Sequence, residues 1–370
     1  MFLSVREIRH SPLRTALIVA IIALVAWLVF LLSGLANGLA TDNGASIEKM
    51  NAQGLVMQQG VRLFLHRSIL PMDTVQHVSA VPGVTAATPL GHLTVTVTDN
   101  QQDARIDATV LAIDPGGFLA PRITSGTALA GAPSGGVVVD DEFKQNGVSL
   151  GDQLHVTPSG QSMTVVGFTS GQTYNHLPVI FMPIAQWQAI KFATPAEAGG
   201  LTDPISAVAI QGEDGALQRI AAEVPNVDVG SRQTVIESLP GYSSEMGTVQ
   251  TILGFLFVIA TLVIAVFFYV ITLQKTYQFG VLKATGAHTR TLALDLMGQV
   301  TLLTLVAAAA GALLANITAA LIPPDVPFAL SNGTVVIYGI VLVLVSGVAA
   351  LLSTVRIARI DPLIAIGRVE

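Results

Sequence analysis

The chain contains no cysteine, so disulfides and thiolate metal centres are excluded as sources of stability or chemistry. That absence permits an extracytoplasmic domain without requiring one. Charge is scarce as well: only 11% of the 370 residues are Asp, Glu, Lys or Arg, against about 25% in soluble domains. There is no Gly-Lys dipeptide anywhere. A G-x-x-x-x-G-K-[ST] phosphate loop is therefore missing, and ATP-driven work would need a separate subunit. H-E-x-x-H is missing too, and the seven histidines are scattered. His66 and His77 are too isolated to suggest zinc and read as surface or turn residues. Asp140-Asp141-Glu142 opens a short helix, where the dipole favours acids. No Ser/His/Asp set stands in recognisable context. Neither an enzymatic function nor a nucleic-acid partner is expected from a chain of net charge −6.

What is abundant is uncharged apolar sequence. Thr15–Thr41, Met246–Gln274, Leu296–Pro324 and Val326–Val355 carry no charged residue. Each exceeds the ~20 residues that a helix needs to cross a bilayer. The spans are expected at about Thr15–Leu39, Gly247–Leu273, Leu292–Ile322 and Thr334–Val355. The first run is too long for the ~7–15-residue core of a cleaved signal peptide. Residues 42–245 hold 19 acids and 9 bases, a net charge of −10. The N-terminal segment has Arg6, Arg9 and Arg14, the central loop Lys275, Lys283 and Arg290, and the tail Arg356, Arg359 and Arg368. Lys/Arg excess marks the cytoplasmic side. Both termini and the central loop are thus expected inside a cell membrane, with the acidic segment outside.

The chain divides into 1–40 (a lead-in and the first span), 41–243 (an extracytoplasmic domain) and 244–370 (three spans and the loop between the first two of them). Met1–His10 is expected to be an interfacial amphipathic helix. The outer domain reads as α+β in two lobes split near residue 199. Val84–Pro89 and Leu93–Thr98 are expected as strands joined at Gly91-His92, and Arg105–Ile113 as a third. Gly136–Asp140 leads through a short helix, Asp141–Asn146, to a hairpin of Leu154–Thr157 and Met163–Phe168. The second lobe comprises strand Ile205–Gln211, helix Asp214–Glu223, strand Asn226–Val229 and helix Arg232–Leu239. The fold class is a membrane protein with four transmembrane helices, one before and three after the α+β domain.

Two stretches stand out. In 274–290, Tyr277, Val281 and Ala284 fall at i, i+4, i+7, and Phe279 and Leu282 at i, i+3. A short helix with two apolar faces touches two things at once. Gly286 suits the αL position that ends such a helix. An ordinary cytoplasmic turn is the alternative. At the outer mouth of the second span, Tyr242, Glu245 and Met246 cluster within five residues. Phe30 and Asn37, toward the outer end of the first span, are expected as their neighbours. Glu245 could equally be an acid placed on the helix dipole. Ser33, Gly34, Asn37 and Gly38 give the first span a small, polar face, suited to close helix packing or to a ligand. Gly254 is expected as a kink or packing point.

Tyr277-Gln-Phe-Gly-Val-Leu-Lys-Ala-Thr-Gly-Ala287 resembles E-I-G-[IVL]-L-[KR]-A-[LI]-G-A, a signature of FtsX/MacB-type ABC-transporter permeases, with Gln278-Phe279 in place of Glu-Ile. Ser11–Leu17 resembles that family's approach to its first span, and Ala358–Ile364 its closing A-x-x-x-D-P-[LIV] element. The strand–helix–Gly151-Asp152–hairpin module is similar to the MacB-like periplasmic core. The resemblance implies a homodimeric permease with two ATPase subunits that hydrolyse ATP. These would dock on a coupling helix carrying Tyr277, Phe279, Gly280, Val281, Leu282, Lys283 and Gly286. Whole-chain length is most similar to the HrtB/DevC-like branch, whose HrtB-type members export haem. That implies haem as substrate, with Tyr242, Glu245, Met246, Phe30 and Asn37 around it and Glu245 and Met246 as iron ligands. No resident cofactor is implied. An FtsX-like signalling permease acting on cell-wall hydrolases, and a lipoprotein- or peptide-handling MacB-like permease, are the rival readings.

Overall fold

The computed structural model describes residues 12–99, 105–157, 159–192, 198–274, 276–286, 288–323 and 326–358. Met1–His10 and residues 359–364 of the closing motif lie outside them. Two compact units form, Ala40–Glu245 and a second made of Met1–Leu39 with Met246–Glu370.

In the outer unit the strongest local signal is the uninterrupted apolar run. A strand that is apolar at every position must have both sheet faces covered. Helix α1 (Pro12–Lys49) enters this unit and is followed by β1 (Gly54–Gln58), α2 (Thr74–Ser79), β2 (Val84–Asp99) and β3 (Arg105–Ile113). Then come β4 (Ser125–Gly126), β5 (Gly136–Asp140), α3 (Glu142–Gln145), β6 (Gln153–Thr157) and β7 (Ser162–Thr169). The unit continues with β8 (Thr173–Tyr174), β9 (Leu177–Pro183), α4 (Ile184–Lys191), β10 (Ala207–Gly212), α5 (Ala216–Glu223), β11 (Val227–Ser231) and α6 (Arg232–Glu237). The sheet path is β11-β1-β10-β2-β3-β9-β5-β7-β4, with β6 bonded to β2 and β7.

Alternate residues of the central strands feed separate cores. Val110, Ala112, Ile180 and Met182 join Val139, Phe143 and Trp187 on one face. Leu111, Ile113, Val179 and Phe181 join Ile47, Val235 and Ile236 on the other. A third cluster sets Val208 and Ile210 of β10 against Val78 and Ile220 of α2 and α5.

Two expectations are corrected here. Gly91-His92 is no turn: β2 runs through it as one 16-residue strand, paired with β10 in its first half and β3 in its second. Gly91 is there for close approach, because an added Cβ would lie 2.5 Å from the Trp187 ring. Nor does the chain split into lobes at 199. β1, early in sequence, pairs with both β10 and β11, and β2 runs through both halves of the sheet. β1, β9 and α4 are elements that the sequence reading left unassigned.

The membrane unit contains the first part of α1, most of α7 (Tyr242–Gln274), α8 (Thr276–Ala284), α9 (Thr289–Leu321) and α10 (Asn332–Ala358). Four helices are long and apolar enough to cross a membrane. α1 is longer than its uncharged run, extending to Lys49 with non-helical geometry at Gly44 (φ −134°, ψ 16°). An added Cβ at Gly44 would lie 2.8 Å from Ile236 Cγ1, so the missing side chain lets α6 pack against the kink.

The small face of α1 is used for packing. A Cβ at Gly34 would meet the Phe328 ring at 2.4 Å, and one at Gly38 the Pro327 carbonyl oxygen at 2.1 Å. Ala329 N donates to Gly34 O at 2.9 Å. Small residues thus let the 326–331 segment lie directly on the helix. Gly254 is neither kink nor contact: α7 is unbroken there, and an added Cβ would meet nothing within 4 Å.

Candidate functional site

Glu245 sits in the first turn of α7, where its backbone N donates to Gly241 O. It is the acid of that turn, where the dipole favours it. Glu245 Oε2 accepts from Asn43 Nδ2 at 3.1 Å and lies 3.3 Å from His176 Nε2. The other ring nitrogen, His176 Nδ1, is 2.8 Å from Asp42 Oδ2. A carboxylate oxygen accepts, so Nδ1 carries the hydrogen in that bond. Asn43 Nδ2 is also 3.1 Å from His176 Nε2.

Three elements build this group. α1 supplies Asp42 and Asn43 just before its kink, and Asn43 is completely buried. The two-residue turn between β8 and β9 supplies His176. Asn175 N donates to Asn43 O at 2.7 Å, pinning that turn to α1. α7 supplies Glu245, which keeps 38% of its side chain accessible and is therefore reachable from outside. With its hydrogen on Nδ1, His176 accepts at Nε2 from Asn43 Nδ2, which also donates to Glu245 Oε2, so the ring touches Asp42 directly and Glu245 through Asn43. Among the described residues no three His, Cys, Asp or Glu converge as a metal site. The group is a hydrogen-bonded chain ending on a partly open carboxylate.

The other expected site residues are distributed as follows. Tyr242 packs partly against the outer core around Val235, Ile236 and Leu239. Met246 is half-buried. Phe30 is 1% exposed in a cluster with Ala26, Ala260, Ala315 and Leu342. Met246 lies fourteen residues before Ala260 on α7, roughly 21 Å along the helix. Phe30 is therefore not a neighbour of the mouth. It lines an apolar cavity of about 350 Å³ with Leu305, Ala308, Val335 and Ile340. Asn37 Nδ2 donates to Thr334 Oγ1 at 3.0 Å, so its amide is engaged in packing. His176, Asp42 and Asn43 were missed by the sequence reading. The available signal was Asn175-His176, a polar pair just before the apolar run Leu177–Pro183, in the place where a tight turn commonly carries Asn-Gly.

A second polar cluster is buried in the outer core. His92 is 2% exposed, and neither ring nitrogen has a hydrogen-bond partner. Burial, then the Lys191 and His66 charges, push its pKa down to about 3. Lys191 Nζ donates to His92 O at 3.0 Å and lies over the Trp187 ring. Burial lowers its pKa to about 8. His92 is enclosed, whereas Lys191 is only partly buried.

Just past α8, Gly286 takes a left-handed backbone (φ +96°), and its N–H donates to Lys283 O. Val281 is 37% exposed. Leu282 is half-buried and packs against the membrane-unit core around Ile18, Phe268 and Leu292. Gly280 is buried and Lys283 half-buried. The side chains of Tyr277 and Phe279 lie outside the described set.

Residues 15–227 match the MacB-like periplasmic core domain, more than half of the chain. Residues 251–362 match the FtsX-like permease C-terminal domain. The chain belongs to the FtsX/MacB-type ABC-transporter permeases. Proteins of this family work as membrane subunits beside an ATPase, and this permease is accordingly a membrane protein with an extracytoplasmic domain. It is 25% identical, over 100% of both chains, to a permease assigned to a hemin transport system, HrtB, of Staphylococcus haemolyticus. The corresponding Staphylococcus epidermidis protein is 24% identical over 99% of each chain. An uncharacterized ABC transporter permease of Mycobacterium bovis is also 24% identical over 99% of each.

Proposed function

We propose that this permease exports haem, taken laterally from the bilayer, as a homodimer driven by two ATPase subunits. The observation that carries the reading is Glu245, a partly open carboxylate adjacent in sequence to the thioether of Met246, where α7 begins. Carboxylate and thioether are both able to meet a haem iron or its surroundings. The relatives assigned to hemin transport support the substrate class. In a two-fold dimer the group occurs twice. ATP binding closes the ATPases, and α8 passes that closure to the spans as a rigid-body movement.

The test is a haemin titration of the full-length protein in detergent. Wild type should give a Soret band, and Glu245→Ala with Met246→Ala should shift or abolish it while the protein stays folded. An unchanged spectrum and affinity in the double variant would sink the reading.

Orientation and docking belong to the same proposal, with both termini cytoplasmic. In the cysteine-free chain, a cysteine at exposed Ser159 should react with an impermeant maleimide in whole cells, and one at His288 should not. Val281→Asp should reduce ATPase co-purification while expression survives, because Val281 is an accessible apolar residue of α8. Undiminished co-purification would remove α8 from the docking surface.

A further inference from the structure

We propose that His176 is a positioning residue, which together with Asn43 holds Glu245 so that Oε1 is the oxygen presented to the iron of haem. The inference rests on the haem-export reading and adds to it a residue and an atom.

The two oxygens of Glu245 are treated unequally. Oε2 takes the Asn43 amide at 3.1 Å and abuts His176 Nε2 at 3.3 Å. Oε1 receives no hydrogen bond from any described residue. A carboxylate tethered through one oxygen and bare on the other is suited to bind a metal through a single atom, and outer-shell partners of this kind orient ligating groups. A free Glu side chain samples many rotamers, and ordering it at the moment of binding weakens affinity. Here the ordering is done in the folded protein.

His176 is itself fixed at three points. Asp42 holds Nδ1 at 2.8 Å, which sets the ring plane and turns Nε2 toward Asn43 and Glu245. The bond from Asn175 N to Asn43 O, at 2.7 Å, fixes the backbone of the turn. That backbone is in an unusual state: Asn175 (φ 53°) and His176 (φ 62°) are both left-handed. In a two-residue hairpin of this form the second position is normally Gly. A histidine there works against its backbone preference, and such outliers cluster at functional sites. What the imidazole gains in exchange is its bond to Asp42 and, through the Asn43 amide, its hold on Glu245.

This strain allows a clean experiment. His176→Gly removes the ring and relieves the backbone together, so a purely structural role and a positioning role respond differently. Full-length wild type, His176→Gly, His176→Gln and Glu245→Ala are titrated with haemin in detergent, and their thermal unfolding is recorded. The expected result is that His176→Gly keeps or raises the unfolding temperature. Its haemin affinity should fall about 10–100-fold, with the Soret band moving toward that of Glu245→Ala. His176→Gln, whose amide oxygen can accept from the same Asn43 amide, should recover most of the affinity. If His176→Gly binds haemin with the wild-type band and affinity while Glu245→Ala does not, the positioning role is wrong and the haem reading stands. A glutamine no better than glycine would also overturn it, because the hydrogen bond would not be the agent. If Glu245→Ala itself binds as wild type does, the functional reading falls and takes the positioning role with it.

Discussion

In the outer unit Leu150 is the one large apolar side chain left exposed among the described residues, at 48%. In the membrane unit α7 alone exposes Phe255, Val258, Ile259, Leu262 and Val266. The polar groups differ in the same way. Thr251, Thr261, Thr272 and Ser346 each donate to the carbonyl four residues back in their own helix. Side-chain bonds between membrane helices include Trp27 to Thr318 and Asn37 to Thr334. The outer unit instead ties distant segments together, as Asp42, His176 and Glu245 show. Two solvents explain the contrast. Water drives apolar groups inward and satisfies any polar group left outside. Lipid does neither, so hydroxyls are satisfied locally and apolar side chains point outward at no cost.

The comparison makes its largest prediction at Trp187, fully buried against Gly91 and Phe192. Trp187→Ala should cost about 3–5 kcal/mol. Phe255→Ala, on an open face of α7, should cost less than about 1 kcal/mol in detergent or lipid, since little cavity can form. Equilibrium unfolding of both variants reads this directly, and equal losses would mean that the α7 face is covered rather than open.

A smaller effect follows from His92. Its pKa is about 3 in the folded chain and 6.5 in the unfolded one. As pH drops through 6.5 the unfolded state takes up a proton that the folded state refuses, so stability falls toward pH 3. The loss should reach about 2–3 kcal/mol at pH 4.5. Unfolding across a pH series should show it, and His92→Leu should flatten the slope. An unchanged slope would assign the acid lability to other groups.

The smallest effect contrasts two glycines of the membrane unit. Gly38→Ala forces a methyl onto the Pro327 backbone and should cost about 1–3 kcal/mol. Gly254→Ala meets open space and should be neutral or stabilise by up to about 1 kcal/mol. Thermal unfolding of the pair would break the packing account if their order were reversed.

The same contrast explains how far the sequence could be read. Uncharged runs of more than ~20 residues mark spans without help from tertiary contacts, and all four emerged. Alternating strands such as Arg105–Ile113, and the hairpin of β6 and β7, were legible for the same local reason. Leu177–Pro183 was not, because a short apolar run buried on both faces has no period to detect. Gly91 misled because a glycine that admits an indole looks the same in sequence as a glycine in a turn. At the candidate site, Glu245 could be singled out by its place at a span's mouth. Its partners could not: His176 is 69 residues from Glu245 and 134 from Asp42. Nothing local to a histidine in a turn reports so distant a carboxylate. The facing of α8 was half legible, since two apolar faces imply two contacts but not which residue takes which.

The uninterrupted course of β2 has a consequence for cooperativity. Its first residues hold β10, and through it β1 and β11, while its last hold β3 and β6. Neither half of the sheet can lose its hydrogen bonds without releasing a strand that the other half needs. The outer unit should therefore open as one foldon, although its helices cover three separate apolar clusters. In amide hydrogen exchange, Ala86–Thr88 and Thr94–Thr96 would share one opening free energy on either side of Gly91.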